Sequence, residues 1–250
     1  MNLDELDVAL ERAAIVGAHR NYVAAVSRPR VELLPSSMPA SLGRSRIGGG
    51  AADLPRGATW PCHPGGPYRF LLQVNLAELP ARIDALPREG LVAFFVADDE
   101  ETELFWQDPN YVHALYLRDH NGLQTVAPPT GATRGGDAHA LRFEVGMDLP
   151  HDACQRTDWP SPELAGALVE WWRERERATV AARWGYLLGY PAVSTLAYDP
   201  TPGPEWTPLL SLDTVDSLEL WWHDGGPLHV FGRRDRLRVG DLSELAADSG

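Results

Sequence analysis

The sequence predicts an α+β fold: mainly antiparallel sheets in two similar halves, with flanking helices. Three observations carry that expectation. Short apolar or alternating runs, separated by turn residues, recur at 68–76, 91–97, 111–117, 139–145, 208–212, 218–222 and 227–231. Amphipathic helical patterns flank them. A strand–loop–strand pattern also occurs twice, once near residue 70 and again near residue 208.

Taken in order, residues 3–26 read as a helix, with Leu3, Leu6, Leu10, Ala13 and Ala14 at helical spacing and Asp4 and Glu5 in the first turn. Pro29 and Pro35 follow as stops. Residues 36–66 are rich in Gly, Pro and Ser and read as irregular, though Ile47, Leu54 and Trp60 anchor them to a core. Residues 128–137 read as an exposed loop. A second helix begins with Ser161 as N-cap and Pro162 at the first helical position, and it runs through Val169, Trp172 and Ala178. A short helix over 241–247 closes the chain.

The repeated pattern reads either as an ancient duplication of a strand–loop–strand unit or as two buried hairpins alike by chance. Phe70-Leu71-Leu72-Gln73-Val74-Asn75 precedes a Gly90-led strand that ends in Phe95. Pro208-Leu209-Leu210-Ser211-Leu212-Asp213 precedes a Gly226-led strand that ends in Phe231. This predicts one domain over 1–250, with pseudo-repeat halves near 40–150 and 180–235 that form two similar sheets.

Composition bounds the function. With 22 basic and 35 acidic residues the formal charge is −13, which repels a phosphate backbone and disfavours nucleic acid while suiting a basic protein partner. No run of residues approaches a membrane span, and the acidic start does not resemble a secretion signal. Cys62 and Cys154 are the only cysteines, too few for a disulfide framework in a chain of 250 residues. The expectation is a cytoplasmic protein whose thiols stay reduced.

Several blocks resemble the YwqG-like family, a bacterial domain family. They are Ile47-Gly48-Gly49, Asp53-Leu54-Pro55, Trp60-Pro61 and 70–76; then Leu86-Pro87, Gly90-Leu91 and Phe94-Phe95; then Leu188-Gly189-Tyr190-Pro191; and last Trp206, Leu209-Leu210, Leu212-Asp213, Trp222, Asp224 and Gly226. The resemblance implies a compact α+β fold with antiparallel sheets, and it brings no known substrate. It also points to departures. Gly185 stands where the family often has His, and Thr195 and Ser211 stand where it often has Gln.

Candidate sites are few. The loop Gly43-Arg44-Ser45-Arg46-Ile47-Gly48-Gly49-Gly50 could cradle an anion between converging amides and two arginines, or it could be a tight crossing that only Gly fits. It is neither a P-loop nor a dinucleotide fingerprint. Asp53, and Gln73 with Asn75 on one strand face, extend that ligand-binding set; the other reading makes them turn and loop hydrogen-bonding residues. The acidic run Asp98-Asp99-Glu100-Glu101 with Glu103 lacks calcium-loop spacing and reads as a solvated turn or a docking point for a basic partner. The histidines lack zinc spacing, Cys62-His63 cannot readily form a nucleophile–base pair along an extended segment, and no nucleophile elbow is present. The sequence therefore predicts no catalytic residues, no metal and no cofactor.

The tryptophan pairs are the remaining signal. Trp171-Trp172 and Trp221-Trp222 each leave one indole turned from the core. Trp172, Trp222 and Asp224 are the expected partner-binding residues. The functional expectation is a non-catalytic protein-binding module, with a toxin-neutralising immunity role as its most specific form. A small-molecule or anion binder, or an enzyme using the Gly/Arg loop, is the alternative.

Overall fold

A computed structural model describes residues 19–250 apart from 81–82, 99–103, 180–182, 194–195 and 197. Most of the helix expected over 3–26, most of the acidic run and Thr195 lie outside the described residues. Helix α1 (Arg20–Val26) leads into β1 (Arg28–Pro35), β2 (Arg46–Ile47), β3 (Ala52–Pro55), β4 (Cys62–His63), β5 (Gly66–Pro67) and β6 (Arg69–Asn75). Next come β7 (Leu91–Val96), β8 (Val112–Leu117), β9 (Leu123–Val126), β10 (His139–Asp148) and helix α2 (Pro162–Thr179). The chain ends with β11 (Gly185–Leu188), β12 (Trp206–Leu212), β13 (Leu228–Arg233), the one-turn α3 (Arg234–Leu237) and β14 (Leu245–Ser249).

Ten of these strands form one antiparallel sheet in the order β14-β13-β12-β11-β1-β10-β2-β6-β7-β8. The sheet curls until its outer strands β14 and β8 approach each other. An α+β fold of two separate sheets with flanking helices is thereby corrected to a single, nearly closed, mainly β structure with few helices. The reason lies at the centre. Residues 28–35 pair with β10 on one side and β11 on the other, joining the two halves into one ladder.

Both halves contribute to the interior of the curl. Val31, Leu33, Ile47, Leu72, Val74, Phe94, Leu187, Leu210, Leu212 and Val230 are buried there in one cluster. Two smaller cores sit outside the sheet. Helix α2 lays Leu164, Leu168 and Trp172 against Val23, Val26 and Leu149. Its N-cap is as read from sequence, with the Leu164 amide donating to Ser161 Oγ at 3.2 Å. The β3–β9 ribbon covers the other face of β6 and β7, burying Leu54, Trp60, Phe70 and Phe95.

The C-terminal readings need two corrections. Residues 241–247 do not form a helix, because Leu245–Ser249 pairs with β13 and supplies the edge of the sheet. Residues 218–222 are not a strand but follow a 3-10 turn (Asp216–Leu218) closed by a Val215–Leu220 bridge.

His229, fully buried in β13, gives this half an acid sensitivity. The Ala192 carbonyl, 2.9 Å from Nε2, can only accept, so Nε2 carries the proton and Nδ1 accepts from Ser211 Oγ at 2.9 Å. A second proton would have to go on Nδ1, turning the Ser211 hydroxyl from donor to acceptor and placing a charge in the core. Burial, the largest influence, pushes the imidazole down to about 4 from 6.5. Between those values the unfolded chain binds the proton that the folded chain refuses, so stability falls as pH falls. Urea melts should show a loss of about 2 kcal/mol between pH 7.5 and pH 5 from this group. His229→Gln should flatten that slope, and an unchanged slope would refute the assignment.

Candidate functional site

The residues singled out in and after the Gly/Arg loop converge on Asp53. This residue is 0 % exposed. Its carboxylate accepts from the Gly43 amide (2.7 Å), Arg46 Nη2 (2.7 Å), Gln73 Nε2 (2.7 Å) and Thr125 Oγ1 (2.8 Å). Gln73 Oε1 accepts from the Asp53 amide, and Gln73 Nε2 also donates to the Arg44 carbonyl. Asn75 donates to the Gly43 carbonyl and caps the following 3-10 turn through Ala77 N. The polar groups expected to face a ligand therefore face one another.

Arg44 is different: its side chain is 64 % exposed and pairs with Glu78 at 2.8 Å. Gly48, Gly49 and Gly50 all have φ near +70°, and a Cβ at Gly49 would lie 2.5 Å from Ala138 Cβ. Backbone crowding thus accounts for the Gly triplet without an anion.

A second buried polar cluster lies between β1, β10, β11 and α2. Sequence reading missed it, because its members are spread from residue 30 to residue 213. Arg30 meets Glu32 (3.1 Å), Glu176 (3.2 Å) and Asp148 (3.4 Å), and its guanidinium lies 3.9 Å from the Tyr186 ring centroid. Arg183 reaches Glu176 (2.6 Å) and Asp213 (3.3 Å). His151 Nε2 is 3.0 Å from Asp148 and stacks on Trp172.

The environments of these carboxylates differ. Burial would raise Asp148, but His151, Arg30 and the Tyr190 amide together hold it down to about 2. Burial leaves Glu32 and Asp213 raised, against the pull of Arg30 and Arg183. Perturbed carboxylates of this kind occur in active sites and in structural ion clusters alike. The only sequence signal was a charged pair, Arg30 and Glu32, inside an otherwise apolar strand.

A concave site lies at the seam where the curl almost closes. Residues 104–108, after β7, reach across to β14. Trp106 Nε1 and Gln107 Nε2 donate to the Asp248 carboxylate at 2.8 and 3.1 Å, and the Tyr198 hydroxyl donates to it at 2.9 Å. Beside this clasp opens a cavity of about 580 Å³. Phe105, Trp106, Tyr111, Trp221 and Trp222 line it, with Arg69 and Asp98 as charged groups. Burial lowers the Arg69 pKa, and Arg69 Nη2 donates to the Glu219 carbonyl at 2.6 Å.

The expected partner residues sit differently around this cleft. Trp172 is fully buried against α1, so it is not the outward indole of its pair. Trp222 is half-buried in the cleft wall, its Nε1 3.3 Å from the Asp213 carbonyl. Trp221 is the outward one, at 66 % exposure, with Phe105 at 46 %. Asp224 is exposed in the turn after Trp222.

Cys62 and Cys154 are free and exposed. Among the described residues, no group of three or more His, Cys, Asp or Glu side chains is placed to hold a metal ion. No helix among them is long and apolar enough to cross a membrane. Fold and site define a mainly β protein built on one ten-stranded sheet, pinned by two buried polar clusters and open at an aromatic seam. The chain belongs to the family described as domain of unknown function DUF1963, whose model matches residues 45–247. No curated protein matches it.

Proposed function

We propose that this family member is a YwqG-like, non-catalytic binding module that grips a basic segment of another protein in the seam cleft. The observation that carries the reading is the cleft itself: about 580 Å³, walled by aromatics, with Trp221 and Phe105 at its open rim. Exposed indoles beside a concave pocket are typical interface anchors, and an aromatic wall also attracts guanidinium and ammonium groups. Charge points the same way. Asp98 and Leu104 line the cleft and bracket the acidic run in sequence, in a chain of charge −13. Such a field speeds encounter with a basic partner and makes it salt-dependent. An immunity-type complex, an acidic module sealing a basic toxin, is the most specific form of the proposal.

The test compares native-lysate captures by wild type, Trp221→Ala and Phe105→Ala at low and high salt. A basic protein retained stoichiometrically by wild type should be lost at high salt, and its retention should drop at least about tenfold with either variant. Equal retention by all three proteins would overturn the seam assignment.

A further inference from the structure

A second pocket, of about 310 Å³, lies away from the seam between α1, β1, the end of β11 and the start of α3. Three of its lining residues are arginines, Arg28, Arg156 and Arg234, and none of its lining residues is acidic. In a chain with 35 acidic and 22 basic residues this is a marked local inversion of charge.

The pairing of these arginines sharpens the point. Arg156 is held in a two-point contact by Asp158, at 2.8 and 2.6 Å. Arg28 has no carboxylate partner among the described residues, and its guanidinium lies 3.9 Å from the Tyr190 ring centroid. The Arg234 side chain, among the described residues, donates only to the Pro204 and Trp206 carbonyls, at 3.3 and 3.5 Å. Among the described residues, two positive charges around one concavity therefore have no carboxylate partner. Stacking on Tyr190 holds the Arg28 fork in place, which reduces the entropy lost when it binds an anion. Thr207 adds a hydroxyl to the lining, and Val26 and Leu188 supply an apolar wall.

We propose that this pocket binds the phosphate group of a small phosphorylated molecule. A phosphate dianion balances the two free charges and accepts paired N–H bonds from planar guanidinium forks. The volume left beside it, with its apolar wall, suits a compact organic substituent. This site shares no residue with the seam cleft, so it can fail without affecting that proposal, or hold without supporting it.

Phenyl phosphate is the probe, titrated calorimetrically into wild type, Arg28→Gln, Arg234→Gln and Arg44→Gln. Wild type should bind with a Kd below about 1 mM, and each pocket variant should weaken binding at least about tenfold. Arg44 lies outside the pocket with its side chain largely in solvent, so Arg44→Gln should match wild type. Thermal melts check that all variants stay folded. No heat at about 10 mM probe would overturn the proposal, since phosphate held by two arginines binds more tightly than that. Binding unchanged in both pocket variants, or lost equally in Arg44→Gln, would also overturn it. Succinate binding in place of phenyl phosphate would do so as well.

Discussion

Arg30→Met should cost about 5 kcal/mol at pH 7, the upper end for breaking a buried ion pair, and should do so without any change at the seam. The side chain of Arg30 is 2 % exposed and touches three carboxylates. Methionine fills much of the volume but leaves Asp148 with His151 and two backbone amides, and leaves Glu32 and Glu176 to share Arg183. One guanidinium 3.8 Å from Glu32 cannot replace the 3.1 Å contact it loses. The sign of the pH dependence follows. Burial already raises Glu32, and without Arg30 it would take up a proton at higher pH still. A carboxylate with a raised folded pKa gains stability as pH falls, so the deficit relative to wild type should shrink towards pH 5. Urea melts at pH 7 and pH 5 measure both quantities. A deficit below about 1 kcal/mol would mean that the cluster is effectively solvated.

How much of this was legible in the sequence depends on the range of the interaction. The repeat was visible because it is local. Aligning residues 70–75 with 208–213 places Leu71 on Leu209, and the structure has a register shift at each of these positions. The neighbouring strands agree, with Ile47 opposite Leu72 as Leu187 is opposite Leu210. Gly48-Gly49, just after β2, and Leu188-Gly189, at the end of β11, all have positive φ. These are local likenesses between the two stretches, and both stretches lie in one sheet instead of two.

What joins them was not legible. The central strand reads Arg-Pro-Arg-Val-Glu-Leu-Leu-Pro, and proline normally argues against a central strand. Here Pro29 and Pro35 sit near its ends, beyond the Arg30–Leu33 stretch that β11 covers. The charges of Arg30 and Glu32 are tolerated because residues 118 to 151 positions away pair with them. The terminal strand was read as helix because Ala246-Ala247 carry helical propensity, which pairing with β13 overrides. For the site, the aromatic doublets suggest Trp172 and Trp222, whereas the structure buries Trp172, half-buries Trp222 and exposes Trp221. Which indole of each pair turns outward depends on helix and strand phase, and one residue of error reverses it.

Asp53→Ala should be nearly as damaging, at about 4 kcal/mol, and it decides what the Gly/Arg loop is for. The carboxylate is the common acceptor for four donors from four chain segments: Gly43, Arg46, Gln73 and Thr125. Alanine leaves the Arg46 side chain, 7 % exposed, with only the Ala51 carbonyl as acceptor, and leaves the Gly43 amide unsatisfied. Because buried unpaired charge supplies most of the penalty, Asp53→Ala with Arg46→Met should be more stable than Asp53→Ala alone by about 1–3 kcal/mol. Hydrogen exchange should show the loss locally, with faster exchange at Gly43 and along the β3–β9 ribbon that Thr125 ties to Asp53. A ligand site would behave differently, since groups held ready for a ligand commonly cost stability and their removal relaxes the fold. An Asp53→Ala protein of wild-type stability would return Arg46, Asp53, Gln73 and Asn75 to the list of ligand-binding residues. A protein that loses stability and regains part of it on removal of Arg46 fixes them as the clamp between the β3–β9 ribbon and the main sheet.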